Sequence, residues 1–107
     1  MNEMKPKNLD SIHHVAVVCK DIKETADWYT GKFLCHIDYI DETWCLISFK
    51  NVKLALIKEG AHPPHIGIEI PEWLVGKELK RHQDGTESAY SQDPSGNTVE
   101  LMKIEKE

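Results

Sequence analysis

The sequence predicts an α+β fold of two βαβββ-type modules, the second shortened to about βαββ, whose strands form a curled mixed sheet around a cleft. Each half of the chain opens with an apolar strand, continues with a helical pattern and ends with antiparallel strand candidates. At 107 residues the chain has the length of one domain. We expect residues 1–10 to be a flexible lead-in to a domain at 11–105, with module one at 11–58 and module two at 64–105.

Module one begins with the β-branched segment Ile12 to Cys19, which has the composition and the length of a strand. Asp21 is a candidate helix N-cap, and the apolar residues after it recur at three- and four-residue spacing: Ile22, Ala26, Tyr29 and Phe33. Three strand candidates follow, at residues 35–40, 44–49 and 52–57. Lys50-Asn51 predicts a tight turn between the last two, because Asn tolerates positive φ.

Module two follows a linker at residues 59–64, which contains a glycine and two prolines. Its first strand is predicted at His65 to Ile70, and Pro71 suits the first turn of a helix over residues 72–82. Residues 86–92 and 98–104 are strand candidates on either side of the turn Asp93-Pro94-Ser95-Gly96-Asn97. This module is therefore predicted to be one strand shorter than the first.

Composition excludes several classes of function. The net charge of -5 leaves no basic surplus to bind a phosphate backbone, so we expect no nucleic-acid partner. No apolar run reaches transmembrane length, and the first ten residues lack the apolar core of a signal peptide, so a soluble cytoplasmic protein is expected. Three cysteines without a CxxC motif are expected to be buried, reduced thiols.

Strand alternation assigns a strand face to each of three residues of metal-binding types. His14 shares a strand face with Ala16 and Val18, while His13 is predicted to point to the opposite face. His65 opens the first strand of module two, and Glu100 lies within the final strand. Buried polar groups of this kind are costly unless they are paired or coordinate a metal. Two histidines and one carboxylate form the ligand set of facial-triad sites, in which further coordination positions stay open.

Three motifs carry a resemblance to a known family. The segment IHHVAVVCKDIKETADWYTGKFL has a histidine at the head of a strand, an Asp-Ile helix start and an aromatic-Tyr pair. HIGIEI resembles the strand that opens a second module, and DPSGNTVELMK resembles a closing turn and strand. In this order, across most of residues 11–104, they resemble the vicinal oxygen chelate superfamily. That superfamily includes glyoxalases, methylmalonyl-CoA epimerases, extradiol dioxygenases and bleomycin-binding proteins.

The resemblance implies a divalent metal site. It places the ligands at His14, His65 and Glu100, and the fourth ligand of glyoxalase-like members at Ala55, which cannot coordinate a metal. The remaining three-ligand set is similar to that of extradiol dioxygenases and suits Fe(II) or Mn(II), with Zn, Ni and Co as further candidates. Leu34 also departs from the family, which usually has a glycine after the first helix.

Other histidines and carboxylates have simpler interpretations. His13, His36, His62 and His82 are interpreted as surface or loop residues. Glu69 lies on the same strand face as His65 and is a candidate acid/base group, although most such residues are ordinary polar strand positions. Glu100 is the other candidate catalytic carboxylate.

Two classes of function stay open. One is a metal-dependent lyase, isomerase or dioxygenase that chelates a small oxygen-rich substrate of the carbonyl, enolate or catecholate type. The other is a metal-free binding protein of the bleomycin-resistance type. Short members of the superfamily often pair modules between chains, so the resemblance implies a homodimer in which His14 meets His65 and Glu100 of the partner chain.

Overall fold

The computed structural model describes residues 9–70, 80–81 and 87–103. Within them lie one helix, α1 (Ile22–Lys32), and eight strands: β1 (Ser11–Cys19), β2 (His36–Ile40), β3 (Trp44–Ser48), β4 (Lys53–Lys58), β5 (His65–Ile70), β6 (Lys80–Arg81), β7 (Glu87–Gln92) and β8 (Thr98–Lys103). In this described part of the chain, no helix is long and apolar enough to cross a membrane.

All eight strands belong to one mixed sheet, in the order β2-β3-β4-β1-β5-β8-β7-β6. Each half repeats the same pairing. β1 is parallel to β4, and β4 and β3 continue outward with antiparallel neighbours; β5 is likewise parallel to β8, followed by antiparallel β7 and β6. The halves meet where β1 and β5 run antiparallel, so the two modules have the same topology about the centre of the sheet.

The sheet has two chemically different faces. On the face that we call the helix face, Ile22 and Ala26 of α1 pack on Cys45, Ile47 and Leu56, all of which are buried. Burial of this apolar surface stabilises module one, because area removed from water is the main favourable term in folding. The opposite face carries His14, His65 and Glu100 and is called the site face below.

The observed elements confirm the α+β class and most predicted segments, with bounds that differ by a residue or two. One difference concerns Lys80–Arg81, which pairs with β7 as a short strand where the sequence predicted the end of a helix. Module two therefore has four strands, as module one does. The prediction that it is one strand shorter is corrected. The rest of that predicted helix and nearly all of the predicted lead-in lie outside the described residues.

The turns between β7 and β8 and between β3 and β4 are stabilised by different interactions. Between β7 and β8, the carboxylate of Asp93 accepts hydrogen bonds from the backbone N–H groups of Ser95 and Asn97, each at 2.9 Å, and Gly96 supplies a φ of 90°. Between β3 and β4, Phe49 N–H donates to the carbonyl of Val52 at 3.1 Å. Asn51 does not take the positive φ that the sequence analysis expected there.

Asp21 begins α1, as predicted, and its contribution can be measured. Its Oδ1 accepts a hydrogen bond from the backbone N–H of Glu24 at 2.8 Å, which satisfies a donor in the first turn. We expect Asp21→Ala to lower the free energy of unfolding by about 1 kcal/mol. Asp21→Asn keeps an acceptor at this position and should change it by much less. Urea denaturation of both variants tests this, and equal losses would contradict a capping role.

Candidate metal centre

The three predicted ligands lie on three adjacent central strands. His14 is on β1, His65 is the first residue of β5, and Glu100 is on β8. In the register, His14 pairs with Gly67 across β1 and β5, and Gly67 pairs with Glu100 across β5 and β8. Cross-strand partners share a face, so His14 and Glu100 lie on the same face, on either side of Gly67. His65, two residues before this glycine, is on that face as well.

Three atoms of these side chains form a nearly equilateral triangle. Nε2 of His14 lies 3.1 Å from Nε2 of His65, and Oε1 of Glu100 lies 3.3 Å from each nitrogen. Ligand atoms held about 2.1 Å from one metal ion are about 3.0 Å apart at octahedral angles and about 3.4 Å apart at tetrahedral angles. The observed separations fall between these values, so the triangle has the dimensions of one face of a coordination shell.

Hydrogen bonds alone cannot connect all three pairs of atoms in this triangle. An imidazole Nε2 has a single in-plane direction, occupied either by a proton or by a lone pair. If both histidines donate to Glu100, the two Nε2 atoms 3.1 Å apart have no hydrogen bond between them; if one donates to the other, neither keeps a well-aligned proton for Glu100. A cation at the centre would interact favourably with all three atoms at once. His14 and Glu100 are also buried, which makes an uncompensated arrangement costly.

The electrostatics keep Glu100 ionised. Burial by itself would raise the pKa of this carboxyl, but hydrogen bonds from His14, His65 and Ser88 outweigh burial and hold the pKa far below its usual range. The hydrogen bond to Glu100 correspondingly raises the pKa of His65. A divalent cation requires an ionised carboxylate and neutral imidazoles, so its binding would release any proton held on Nε2 of His65.

Each ligand is also held by a second group. Nδ1–H of His65 donates to the carbonyl of Pro63 at 2.9 Å, so Nε2 carries the lone pair when the ring is neutral. Ser88 donates its hydroxyl proton to Oε2 of Glu100 at 2.9 Å. Outer partners of this kind fix the tautomer and the orientation of metal ligands. Ser88 could not be identified from the sequence, because nothing in the sequence sets the register of β7 against β8.

His13 is the third outer partner, and its predicted position is corrected. The pairing of β1 with β5 shifts between Ile12 and His14, so His13 is the extra residue of a β-bulge rather than part of a regular alternation. Its Nδ1 lies 2.8 Å from Nδ1 of His14, and the residue is half-buried instead of exposed. Burial and the neighbouring His14 lower the pKa of His13, which favours a neutral ring that accepts from Nδ1–H of His14.

Gly67 lets the ring of His14 lie across β5. A Cβ at residue 67 would stand 2.3 Å from Cε1 and 2.9 Å from Nε2 of His14, closer than any real contact. The sequence offered a signal, since a glycine inside a strand often marks a close approach.

The remaining candidate residues lie outside the triangle or outside the described part of the chain. Glu69 lies outside the triangle, and its Oε1 accepts a hydrogen bond from Ser11 at 3.3 Å. His36 and His62 are exposed, as predicted, and His82 is outside the described residues. His14, His65 and Glu100 meet within one chain, so the expectation that they meet across a dimer is corrected.

The pairing of β1 with β4 shows which position in module one would hold a fourth ligand. Ala55 pairs with Ala16, two residues after His14, just as Glu100 pairs with Gly67, two residues after His65. Ala55 therefore occupies the position in module one that Glu100 occupies in module two. It is buried and offers no ligand atom, so the candidate site has three ligand side chains among the described residues.

The contact between residue 67 and His14 predicts the effect of one methyl group. Gly67→Ala is expected to displace the ring of His14, to destabilise the protein by about 1–3 kcal/mol through overpacking, and to weaken divalent-metal binding about tenfold or more. Gly31→Ala is the control, since its Cβ on α1 meets nothing within 4 Å. Denaturation and calorimetric titration with Mn(II) measure both effects. Unchanged metal affinity in Gly67→Ala would contradict the observed packing.

The contact of His13 with His14 leads to a separate prediction about metal affinity. His13→Ala removes the acceptor that fixes the tautomer of His14, so Mn(II) affinity should fall about tenfold while the fold is retained. His36→Ala, which removes an exposed histidine on β2, should leave the affinity unchanged. Equal affinities of the two variants would show that His13 does not orient His14.

Comparisons with known proteins agree with this architecture. No protein-family model matches the sequence, and no curated protein matches it. Solved structures do match. A hypothetical protein from Bacillus halodurans C-125 has a TM-score of 0.73 at 12% identity, covering 92% of this chain and 96% of that one.

Two further structures carry functional names. A glyoxalase/bleomycin resistance protein/dioxygenase superfamily member from Vibrio splendidus 12B01 has a TM-score of 0.68 at 11% identity, covering 90% of this chain and 100% of its own. Methylmalonyl-CoA epimerase from Mycobacterium tuberculosis has a TM-score of 0.67 at 12% identity, covering 90% and 89%. At these identities the likeness concerns the fold. The chain thus has the fold of the glyoxalase/bleomycin resistance protein/dioxygenase superfamily, which confirms the resemblance found in its motifs at the level of structure.

Proposed function

We propose that this protein binds one divalent metal ion through His14, His65 and Glu100 and uses it to chelate a small oxygen-rich molecule of the carbonyl, enolate or catecholate type. The observation that carries the proposal is the triangle of two Nε2 atoms and one carboxylate oxygen with sides of 3.1, 3.3 and 3.3 Å. Outer hydrogen bonds orient all three side chains toward its centre, which an accidental cluster would not require.

The donor set favours certain metals. Two neutral imidazoles and one carboxylate suit Fe(II) or Mn(II), and Zn(II), Ni(II) and Co(II) also accept such ligands. When bound, the ion would supply a Lewis acid that polarises an oxygen atom of the ligand. Because Ala55 leaves the fourth protein position without a ligand atom, more of the shell stays open to the molecule that binds.

The residues of the chain support binding and orientation more directly than proton transfer. The low pKa of Glu100 makes it a ligand rather than a proton donor, and Ser88 occupies its second oxygen. Ala55 supplies none of the proton-carrying side chains that the fourth ligand provides in glyoxalase-like enzymes. Glu69 is held by Ser11 outside the triangle. These features favour chemistry in which the bound molecule is held by two oxygens over chemistry that needs a base at the fourth position.

The oligomeric state does not limit this proposal. The homodimer implied by the family resemblance stays a prediction. Because one chain contains all three ligands, metal binding needs no partner. We therefore expect the same metal content per chain at dilutions at which light scattering gives a monomeric mass.

Metal content tests the proposal against a metal-free binding function. Protein purified without chelator, or loaded with Fe(II) or Mn(II), should contain about one ion per chain, as three facial ligands bind a single ion. His65→Ala and Glu100→Gln should lose it, because each removes one corner of the triangle. Elemental analysis after gel filtration measures the ratio.

Glu69→Gln is the matched control for Glu100→Gln. It makes the same chemical change on the same face of the neighbouring strand but outside the triangle, so it should keep the metal. If wild type and His65→Ala are equally metal-free after loading, the proposal fails and a metal-free binding protein of the bleomycin-resistance type becomes the better account.

A further inference from the structure

The two modules present different chemistry at equivalent positions of the site face. Their shared topology matches β3 with β7 and β4 with β8. Leu46 pairs with Ala55 in module one, and Tyr90 pairs with Glu100 in module two. One pair further along, Ser48 and Lys53 correspond to Gln92 and Thr98. The topology is symmetrical, but the side chains around the metal centre are not.

The module-one side of the centre is filled by its own side chains. Ala16, Ala55 and Ile57 form a buried cluster, with exposed fractions of 2%, 5% and 4%, and the partly buried Trp44 and Leu46 pack against it. Lys53, further along β4, is engaged by Asp38 at 2.9 Å. This half offers little free surface to a molecule that reaches the centre.

The module-two side contains an open pocket of about 460 Å³, lined by His62, Pro63, Tyr90, Ser91, Gln92 and Thr98. None of the three candidate ligands lines it, but two of its residues are neighbours of His65. Thr98 is the cross-strand partner of His65, and the ring of Tyr90 meets the ring of His65 edge-on with centroids 5.6 Å apart. Tyr90, Gln92 and Thr98 share the face of Glu100, because they alternate along β7 and β8 with it.

The described lining of this pocket contains hydroxyl and amide groups but no Lys, Arg, Asp or Glu side chain. An anionic group placed there would lose hydration and would find no lysine or arginine among the described lining residues, only the exposed His62. A neutral group with hydroxyl or amide functions would instead exchange hydrogen bonds with Gln92 and Thr98. Tyr90, whose ring meets that of His65, supplies an aromatic surface on the side of the pocket next to the metal centre.

We propose that the molecule chelated at the metal centre extends into this pocket with an uncharged, hydrogen-bonding group, and that Gln92 and Thr98 select it. The inference rests on the proposed metal site and adds the class of ligand and the side from which it is held. Phosphorylated and carboxylate-bearing molecules are disfavoured by the same residues.

Two chelating probes that differ only in their tails test this selection. 4-(Hydroxymethyl)benzohydroxamic acid and 4-carboxybenzohydroxamic acid bind metals through the same two oxygens, but one tail is neutral and the other anionic. On Mn(II)-loaded protein, calorimetry should give a dissociation constant about tenfold lower for the neutral probe. Gln92→Lys places a cation in the pocket and should reverse the preference, because the carboxylate then has a partner.

Ser48→Lys is the matched control, since Ser48 is the module-one equivalent of Gln92. It should leave the preference for the neutral tail unchanged. In Zn(II)-loaded, isotopically labelled protein, the neutral probe should shift the amide resonances of Tyr90, Gln92 and Thr98 more than those of Leu46 and Ser48.

The outcomes separate the two proposals. If Mn(II) does not bind, the metal site itself is wrong, and the ligand assignment falls with it. If Mn(II) binds but both probes bind equally, the carboxylate probe binds better, or Ser48→Lys alone changes the preference, the metal site stands and the pocket assignment is overturned. Larger amide shifts in module one would overturn it as well.

Discussion

His14 can reach the other two ligands only because residue 67 has no Cβ. Its ring lies across β5 at the point where a methyl group on residue 67 would stand 2.3 Å away. The same glycine pairs with His14 on one side and with Glu100 on the other, so it sets the spacing of the triangle. The proposed metal site depends on this close contact between the His14 ring and the backbone of Gly67.

Because Gly67 brings the three side chains so close together, their polar atoms must be compensated by neighbouring groups. Three polar side chains brought to about 3 Å in a buried location need compensation, because desolvated polar groups are costly when unpaired. Ser88, Pro63 and His13 satisfy the outer atoms and leave the inner atoms facing one another. The arrangement keeps Glu100 ionised, and a divalent cation between the inner atoms would complete it.

The sequence predicted the fold class, most strands and the three converging residues, because strand alternation and the family motifs are local signals. It did not predict the β-bulge at His13, which depends on how β1 meets β5 rather than on any residue in β1. Ser88 and Tyr90 were missed as neighbours of Glu100 and His65 for the same reason, since cross-strand register is a tertiary property. The two-residue β6 was too short to give a periodic pattern.

We propose that two imidazole nitrogens and one carboxylate oxygen converge on one ion. Pulsed electron paramagnetic resonance of the Mn(II)-loaded protein tests it most directly, because each coordinating imidazole couples its nitrogen to the metal spin. We expect coupling from two histidines in wild type, from one in a His65→Ala sample loaded with excess Mn(II), and from two in Glu69→Gln. An absence of histidine nitrogen coupling in the wild-type protein with Mn(II) bound would contradict it.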